Sequence, residues 1–227
     1  MDRPAVLVIE DEEPIRVGLC DVLAFHGLQP TPAADGTRGL ALGLDGAWAL
    51  VIVDVMLPGV DGFTITRALR ERHPSLPLLL LTAKGAEADV LEGFAAGADD
   101  YVTKPFSVAQ LAARVRALVR RSGATGRRQF VVGPATVDVD ALTLTTARGA
   151  VSLSPRDASL LAYLAERAGT VVPREALLRD VWHFQRTERV ETRCVDMHLS
   201  KLRKKLHPVC EDELVETVRG AGYRVCT

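Results

Sequence analysis

The segment VIVDVMLPGVDG, residues 51–62, starts with an apolar run, reaches an aspartate and ends in a turn rich in glycine and proline. The run is continuously apolar and does not alternate with polar residues, which is typical of a strand buried on both faces of a parallel sheet. Four further short runs in the first half of the chain have a similar character, although the second is weak. They are AVLVI (5–9), LQPTPA (28–33), LPLLLLT (76–82) and DYVT (100–103).

Helical patterns alternate with these strands. Such alternation predicts an α/β domain in which helices cover both faces of a parallel sheet. Five strands and five helices fit the doubly wound (βα)5 arrangement with strand order 2-1-3-4-5. The predicted helices are Pro14–His26, Thr37–Leu44, Phe63–Glu71, Glu87–Ala96 and Val108–Arg121.

The polar, glycine-containing segment RSGATGRRQ marks the end of this first domain. We therefore divide the chain into a domain at 1–121, a linker at 122–129 and a second domain at 130–227. The second domain has short alternating segments, then three helices, then a hairpin around a glycine-rich turn, which predicts an α+β winged-helix fold. Its predicted helices are Pro155–Ala168, Arg174–Trp182 and Glu188–Leu206.

Charge and composition separate the two halves. Residues 1–122 hold 12 basic and 16 acidic residues, whereas 123–227 hold 16 and 13. Seven basic residues lie within 186–205, which suggests a nucleic-acid partner for the second domain. The four cysteines form no metal-binding spacing, and neither a signal peptide nor a membrane span is recognisable. We expect a cytoplasmic protein with reduced thiols that does not bind a membrane.

Acidic residues follow two strands that are neighbours in the predicted sheet. Glu10 and Asp11 end the first strand, and Asp54 ends the third. Ligands of this fold bind beyond the carboxyl ends of the strands, where the strand order reverses. Three carboxylates this close repel one another unless a hard cation such as Mg²⁺ neutralises them. Each acid alone is more simply interpreted as a solvated side chain at a strand end.

Polar residues at the ends of two other strands favour the interpretation of these acids as a functional site. Thr82 ends the fourth strand, and Lys104-Pro105 follows the fifth. A metal site, a hydroxyl group and a cation on one rim suit phosphoryl transfer, in which catalysis is mainly positioning and charge neutralisation. A phosphatase with an aspartate nucleophile is the alternative, but such enzymes need a second acid two residues later, where this chain has Met56.

Over residues 5–121 the sequence closely resembles the receiver domains of two-component response regulators, through VIEDEE, VIVDVMLPGVDG, LTAKG and GADDYVTKPF. The resemblance implies that Asp54 accepts a phosphoryl group from a sensor histidine kinase. It implies a Mg²⁺ site formed by Glu10, Asp11, Asp54 and the backbone carbonyl of Met56.

The same resemblance assigns the switch residues. Lys104 would pair with the phosphoryl oxygens, and the Lys104-Pro105 bond would be cis. Thr82 would hydrogen-bond to the phosphoryl group, and its movement would let Tyr101 turn inward. Without the motif, Tyr101 would be interpreted as a half-buried strand aromatic.

The basic segment TERVETRCVDMHLSKLRKKL forms an amphipathic helix when it is projected at 100° per residue. Val195, Leu199, Leu202 and Leu206 share one stripe, and the opposite face is largely basic. A solvated charged face is the simpler interpretation. Met197 favours DNA, however, because a large apolar group on a polar face could contact a thymine methyl.

The segment 130–227 resembles the winged-helix effector domain of the OmpR/PhoB subfamily, through LSPRDASLLAYLAERAGTVVPREALLRDVW, RCVDMHLSKLRKKL and VETVRGAGYRV. The resemblance implies base reading in the major groove by Asp196, Met197 and Lys201. It implies minor-groove entry by Arg219 and a surface for RNA polymerase at His183–Arg189. The phosphate contacts that it implies are Trp182, Arg193, His198, Arg203, Thr217 and Tyr223. A protein-interaction module without nucleic acid is the rival interpretation, and Arg219 in the wing argues against it.

We therefore predict a transcriptional regulator that binds promoter DNA, is switched by phosphorylation and has no other enzymatic activity beyond slow autodephosphorylation. An atypical, phosphorylation-independent regulator is the alternative. Phosphorylation would favour a homodimer through the fourth helix, fifth strand and fifth helix, where Asp100 and Arg114 fit one crossing ion pair. Val90 and Gln110 replace an Arg and a Glu that are typical of the subfamily, so we expect a weaker or more apolar dimer.

Overall fold

The computed structural model describes residues 3–83, 87–120, 128–182, 189–211 and 213–226. The chain forms two compact units, Met1–Gly123 and Ala124–Thr227. The division falls at the predicted linker, most of which lies outside the described residues. No helix within the described ranges is long and apolar enough to cross a membrane.

The first unit is built around a parallel sheet of five strands in the order β2-β1-β3-β4-β5, as predicted. Helices separate the strands throughout, and the predicted element bounds are accurate to within two residues. The strands are β1 (Ala5–Ile9), β2 (Gln29–Ala33), β3 (Leu50–Asp54), β4 (Leu78–Ala83) and β5 (Asp100–Lys104). The helices are α1 (Glu13–Phe25), α2 (Gly36–Asp45), α3 (Gly62–Arg72), α4 (Glu87–Ala96) and α5 (Val108–Arg120).

Apolar layers cover both faces of this sheet. All five residues of β3 are buried, because alternate side chains enter the two layers. Val51 and Val53 lie in one layer, and Leu50 and Ile52 lie in the other. The continuous apolar run of the sequence is therefore explained by burial on both faces.

Local capping fixes where the helices near the sheet edge begin. The carboxylate of Asp61 accepts a hydrogen bond from the backbone N–H of Thr64 at 2.9 Å and so caps α3.

The first residue of α3, Gly62, approaches the backbone of Asp54. A Cβ atom at Gly62 would lie 2.1 Å from the carbonyl oxygen of Asp54, so only glycine fits there.

The second unit combines antiparallel strands with three helices. A four-stranded sheet precedes the helices, and a hairpin ends the unit, which agrees with the predicted winged helix. The strands are β6 (Gln129–Val132), β7 (Ala135–Asp138), β8 (Thr143–Thr146), β9 (Gly149–Ser152), β10 (Val215–Val218) and β11 (Gly222–Val225). The helices are α6 (Pro155–Ala165), α7 (Arg174–Asp180) and α8 (Arg189–Leu206).

Two helix ends in this unit differ from the prediction. Helix α6 ends at Ala165, three residues early, and hydrogen-bonded turns lead from it to Gly169. The φ of Gly169 is +79°, a left-handed conformation that cannot continue a helix. Helix α7 ends at Asp180, so Trp182 lies beyond it.

We predict that Gly62→Ala destabilises the first unit by about 1–3 kcal/mol, because the added methyl group meets backbone atoms that cannot move aside. Gly18→Ala is the matched control. Gly18 lies inside α1, and a Cβ there would meet nothing within 4 Å. That change should stabilise the helix by up to about 1 kcal/mol. Urea denaturation followed by circular dichroism measures both, and equal effects would contradict the close approach at Gly62.

Candidate functional site

Three carboxylates meet at the carboxyl ends of β1 and β3. Glu10, Asp11 and Asp54 each place an oxygen within 4.8 Å of the others. Glu10 and Asp54 are buried, with 0% and 4% of their surfaces exposed, whereas Asp11 is exposed. The pairing of β1 with β3 brings these residues together, as the sequence predicted.

The ammonium group of Lys104 compensates part of the negative charge of this cluster. Its Nζ atom lies 2.9 Å from Asp54 Oδ2, 2.8 Å from Glu10 Oε2 and 3.5 Å from Glu12 Oε1. Burial disfavours the charged form of Lys104, but the hydrogen bonds to Glu10 and Asp54 outweigh burial and raise the pKa of Lys104. Burial raises the pKa of Glu10, although the ammonium opposes that shift.

Backbone contacts hold the loop that carries the acids. One guanidinium nitrogen of Arg16 donates to the carbonyl oxygens of Glu10 and Asp11, at 2.7 and 2.8 Å. This role of Arg16 was not predicted from the sequence, although the position of Arg16 in the first turns of α1 brings it within reach of that loop. The Lys104-Pro105 peptide bond is cis, as predicted.

Thr82 and Tyr101 line one small cavity beside the acidic cluster. Thr82 is buried at the end of β4, and Tyr101 is half-buried in β5. The ring of Tyr101 packs edge-on against Phe94 of α4, with 5.7 Å between the ring centroids. A movement of Thr82 would therefore change the space that Tyr101 can enter.

The donor set fits a hard divalent cation. Carboxylate oxygens are the ligands that Mg²⁺ prefers, and the exposed Asp11 leaves the site open to solvent. The backbone carbonyl of Met56 as a fourth ligand stays a prediction. The side chain of Met56 is 71% exposed, so it does not cover the site.

The predicted dimer pair is formed within one chain. Arg114 Nη1 lies 2.7 and 2.8 Å from the two carboxylate oxygens of Asp100, because Arg114 reaches back from α5 to the start of β5. A pair that crosses between subunits in a dimer stays a prediction. Gln110 is exposed, and the side chain of Val90 lies outside the described residues.

An internal clamp in the same region was not foreseen. Arg70 of α3 binds Asp99 at 2.6 Å and the carbonyl of Gly97 at 3.0 Å. Asp99 is 1% exposed and also accepts a hydrogen bond from the backbone N–H of Leu78. The sequence gives no periodic signal for this contact, because it joins residues 29 positions apart.

In the second unit, α8 has the two faces that its sequence predicts. Val195, Leu199, Leu202 and Leu206 are buried. Residues on the opposite side are open to solvent to different degrees. Arg193, Asp196, Ser200, Lys201 and Lys204 are exposed, and Met197 is intermediate.

Two predicted phosphate contacts are buried instead. Trp182 is 1% exposed and His198 is 9% exposed, and their rings pack edge-on with 5.4 Å between centroids. The guanidinium of Arg156 lies 5.2 Å from the centre of the Trp182 ring. These interior contacts bury both rings, and their role as phosphate ligands stays a prediction.

Further predicted contacts are engaged inside the unit. Arg203 donates to the carbonyl of Val215 at 2.7 Å and to the hydroxyl of Thr217 at 2.9 Å, which ties α8 to β10. Tyr223 is 3% exposed, and its hydroxyl donates to Asp196. Arg203, Thr217 and Tyr223 therefore have partners inside the unit, and their role as phosphate ligands stays a prediction.

A buried carboxylate joins α6 to α8. Asp157 Oδ1 lies 3.0 Å from His198 Nε2, and Asp157 Oδ2 lies 2.5 Å from Lys205 Nζ. Asp157 also forms a capping box with Ser154 at the start of α6. Burial alone would raise the pKa of Asp157, but His198 and Lys205 together hold it well below its ordinary value. The spacing of Ser154 and Asp157 in the sequence is that of a capping box. That spacing does not indicate that Asp157 also binds His198 and Lys205 on α8.

Each of the two units matches the model of a known protein family. The family model of the response regulator receiver domain matches residues 6–116. The family model of the C-terminal domain of transcriptional regulatory proteins matches residues 148–225. The first unit is thus a receiver domain and the second is the DNA-binding domain of a transcriptional regulator.

Full-length relatives and solved structures place both domains in one family. The uncharacterized transcriptional regulatory protein YkoG of Bacillus subtilis is 37% identical, over 99% of each chain. The transcriptional regulatory protein ResD of the same species is 36% identical, over 96% of this chain and 94% of ResD. The structure of DrrB, an OmpR/PhoB homolog of Thermotoga maritima, is 30% identical with a TM-score of 0.53, over 99% and 100% of the chains. This chain belongs to the OmpR/PhoB-type response regulators of two-component systems.

We predict that Asp157→Asn lowers the free energy of unfolding of the second unit by about 3–5 kcal/mol near neutral pH, because the Lys205 ammonium and the His198 ring lose a buried carboxylate partner. The folded-state pKa of Asp157 is depressed, so its contribution is present above the ordinary carboxyl pKa and is lost as pH falls below it. The difference between the variant and the parent should therefore shrink in acid. Urea unfolding followed by Trp182 fluorescence, with Trp48→Phe in both proteins, measures it.

Glu166→Gln is the control for the Asp157 variant. Its carboxylate is 72% exposed and pairs only with the neighbouring Arg167 among the described contacts. We expect a change within about 0.5 kcal/mol. A difference for Asp157→Asn that stays constant down to strongly acidic pH would contradict the proposed ion pairs.

Proposed function

We propose that this response regulator accepts a phosphoryl group on Asp54 from a sensor histidine kinase and then binds promoter DNA as a homodimer. The proposal is supported by the arrangement of charged side chains at the carboxyl ends of the strands. There, Lys104 bridges Glu10 and Asp54, and Asp11 lies beside them. A cation next to clustered carboxylates is the arrangement that phosphoryl transfer to a carboxylate requires.

In the transfer, a carboxylate oxygen of Asp54 attacks the phosphorus of the kinase phosphohistidine. The P–O bond forms as the P–N bond breaks, and the histidine leaves with the bonding electron pair. Mg²⁺ held by Glu10, Asp11 and Asp54 would neutralise charge on the phosphoryl oxygens. Lys104 then exchanges its bond to the free carboxylate for one to a phosphoryl oxygen.

The switch uses the cavity that Thr82 and Tyr101 line. The Thr82 hydroxyl donates to the phosphoryl group and moves toward it. Tyr101 then turns into the space between Thr82 and Phe94. This change alters the surface of α4, β5 and α5, through which two receivers pair.

Helix α8 enters the major groove with its exposed face. Lys201 and Met197 read base edges, and Arg193 binds a phosphate. Arg219, exposed in the turn between β10 and β11, enters the adjacent minor groove. RNA polymerase binds at His183–Arg189, most of which lies outside the described residues. These partners place the protein in the cytoplasm.

We expect the protein to gain one phosphoryl mass when it is incubated with Mg²⁺ and a small phosphodonor such as acetyl phosphate. Asp54→Asn should gain none, because an amide cannot act as the nucleophile. Asp21→Asn, which alters an exposed carboxylate on α1, should be labelled like the parent. Mass spectrometry of the intact protein decides the outcome.

Labelling of Asp54→Asn at the parental level would refute the assignment of the nucleophile. An unlabelled parent would favour a phosphorylation-independent regulator. Genomic fragments retained by the phosphorylated parent, but not by Asp54→Asn, should share one sequence motif. Random fragments in both samples would argue against phosphorylation-dependent promoter binding.

The proposed dimer depends little on ion pairs. Asp100 and Arg114 already satisfy each other within one chain, with 6% and 17% of their side chains exposed. Val90 and Gln110 supply no charge at the positions where the subfamily typically has one. We therefore expect a dimer that is weaker or that depends more on apolar contact.

We predict that the dissociation constant of the phosphorylated dimer changes little with ionic strength. Exposed ion pairs contribute only about 0–1 kcal/mol each, and salt screens them. Sedimentation of the phosphorylated protein at low and high salt measures the effect. Asp54→Asn under the same conditions gives the monomer baseline, and a dimer that dissociates steeply with salt would contradict the prediction.

A further inference from the structure

Asp196 connects three elements of the DNA-binding unit. Its Oδ1 atom accepts a hydrogen bond from Arg174 Nε at 2.8 Å and another from the hydroxyl of Tyr223. The guanidinium of Arg174 also lies over the ring of Tyr223, 4.9 Å from its centre. Arg174 begins α7, Asp196 lies in α8, and Tyr223 lies in β11. We call these three residues the Asp196 cluster.

The surface of this cluster is partly open. The side chain of Asp196 is 46% exposed and that of Arg174 is 24% exposed, whereas Tyr223 is buried. The hydrogen bond from Arg174 to Asp196 raises the pKa of Arg174, so its charge is permanent. Burial and the bond to Asp196 raise the pKa of Tyr223 to about 12, so its hydroxyl remains a donor at neutral pH.

We propose that Asp196 is a positioning residue that holds Arg174 against a DNA phosphate, and that it does not read a base. This inference rests on the proposed function, because it assumes that the exposed face of α8 meets DNA. It assigns a contact to Arg174 that sequence analysis did not identify. It also reverses the role that the family resemblance implies for Asp196.

Hydrogen-bond capacity supports this role. To read a cytosine, a carboxylate must turn an oxygen toward the base amino group. Oδ1 of Asp196 already accepts two hydrogen bonds that come from α7 and β11. Those bonds fix the rotation of the carboxylate, and turning it to a base would break contacts with a buried tyrosine. A guanidinium has five N–H donors, and the bond to Asp196 uses one.

Electrostatics supports the same assignment. A carboxylate near the phosphate backbone is repelled unless a cation compensates it. Arg174 supplies that cation at 2.8 Å, so the pair can approach DNA without net repulsion. Stacking on Tyr223 and the bond to Asp196 also restrict the long arginine side chain before binding, which lowers the entropic cost of a phosphate contact.

DNA binding separates the two roles. Titrations use the phosphorylated protein with its preferred site and with a scrambled duplex, at 50 and 200 mM salt. Arg174→Ala should weaken binding to the preferred site and to the scrambled duplex by the same factor. Asp196→Asn should likewise affect the two duplexes equally. Each should also reduce the salt slope by about one unit, so that the loss of affinity between these salts becomes about three- to fourfold smaller. Lys201→Ala is the reference for a base reader, with about 5- to 150-fold lost on the preferred site only.

The double variant tests whether the two residues act together. Asp196→Asn should cause no further weakening in an Arg174→Ala background, because the positioned group is already gone. Asp196→Asn that behaves like Lys201→Ala would overturn the proposal and make Asp196 a base reader. The proposal would also be overturned if Asp196→Asn weakened DNA binding equally in the parent and in the Arg174→Ala background.

The cluster is also tested without DNA. In ¹⁵N spectra of the full chain, the Arg174 Nε–H resonance should exchange slowly with water, and Asp196→Asn should abolish that protection. Tyr223→Phe, which removes only the hydroxyl, should weaken it less. If the parent shows no protected Arg174 resonance, the inference is overturned, even if DNA binding is normal. A protected resonance in a parent that binds no DNA refutes the proposed function instead, and with it the phosphate contact.

Discussion

Repulsion between carboxylates is the constraint on which the receiver site depends. Parallel strands end at one edge of the sheet, and the crossing from β1 to β3 brings Glu10, Asp11 and Asp54 within 4.8 Å. Like charges at this separation cannot coexist in a buried site without compensation. Lys104 provides part of that compensation from the end of β5, and a divalent cation would provide the rest.

The second unit uses carboxylates for orientation. Asp157 of α6 binds His198 and Lys205 on the inner side of α8, and Asp196 on the outer side of α8 binds Arg174 of α7. Buried ion pairs add little net stability compared with apolar packing, but they restrict how a helix can rotate or slide. A recognition helix needs that restriction, because a small rotation would change which side chains face the bases.

The sequence predicted the fold of both units because the decisive signals are local. Continuous apolar strands, capping residues and glycine turns are each legible in a short window. The strand order followed from matching the alternation of strands and helices to the doubly wound arrangement, and that order predicted the acidic site. The internal contacts of α8 could not be predicted from such local signals. His198 and Arg203 lie on the flanks of the helix, where a projection cannot tell solvent from a neighbouring element. Asp157 and Val215 occupy those flanks, and they come from distant parts of the chain. Arg70 and Asp99 escaped detection for the same reason.

These internal contacts limit how phosphorylation can act on DNA binding. The described bonds that orient α8 join residues within 128–226, so phosphorylation of Asp54 changes none of their partners chemically. Under the proposed function, phosphorylation therefore need not reshape the recognition helix. It changes how often two such helices act together, because a receiver dimer raises the local concentration of the second DNA-binding unit. Two ready-made helices then read two half-sites, with a gain in affinity that comes from pairing and not from any new contact to a base.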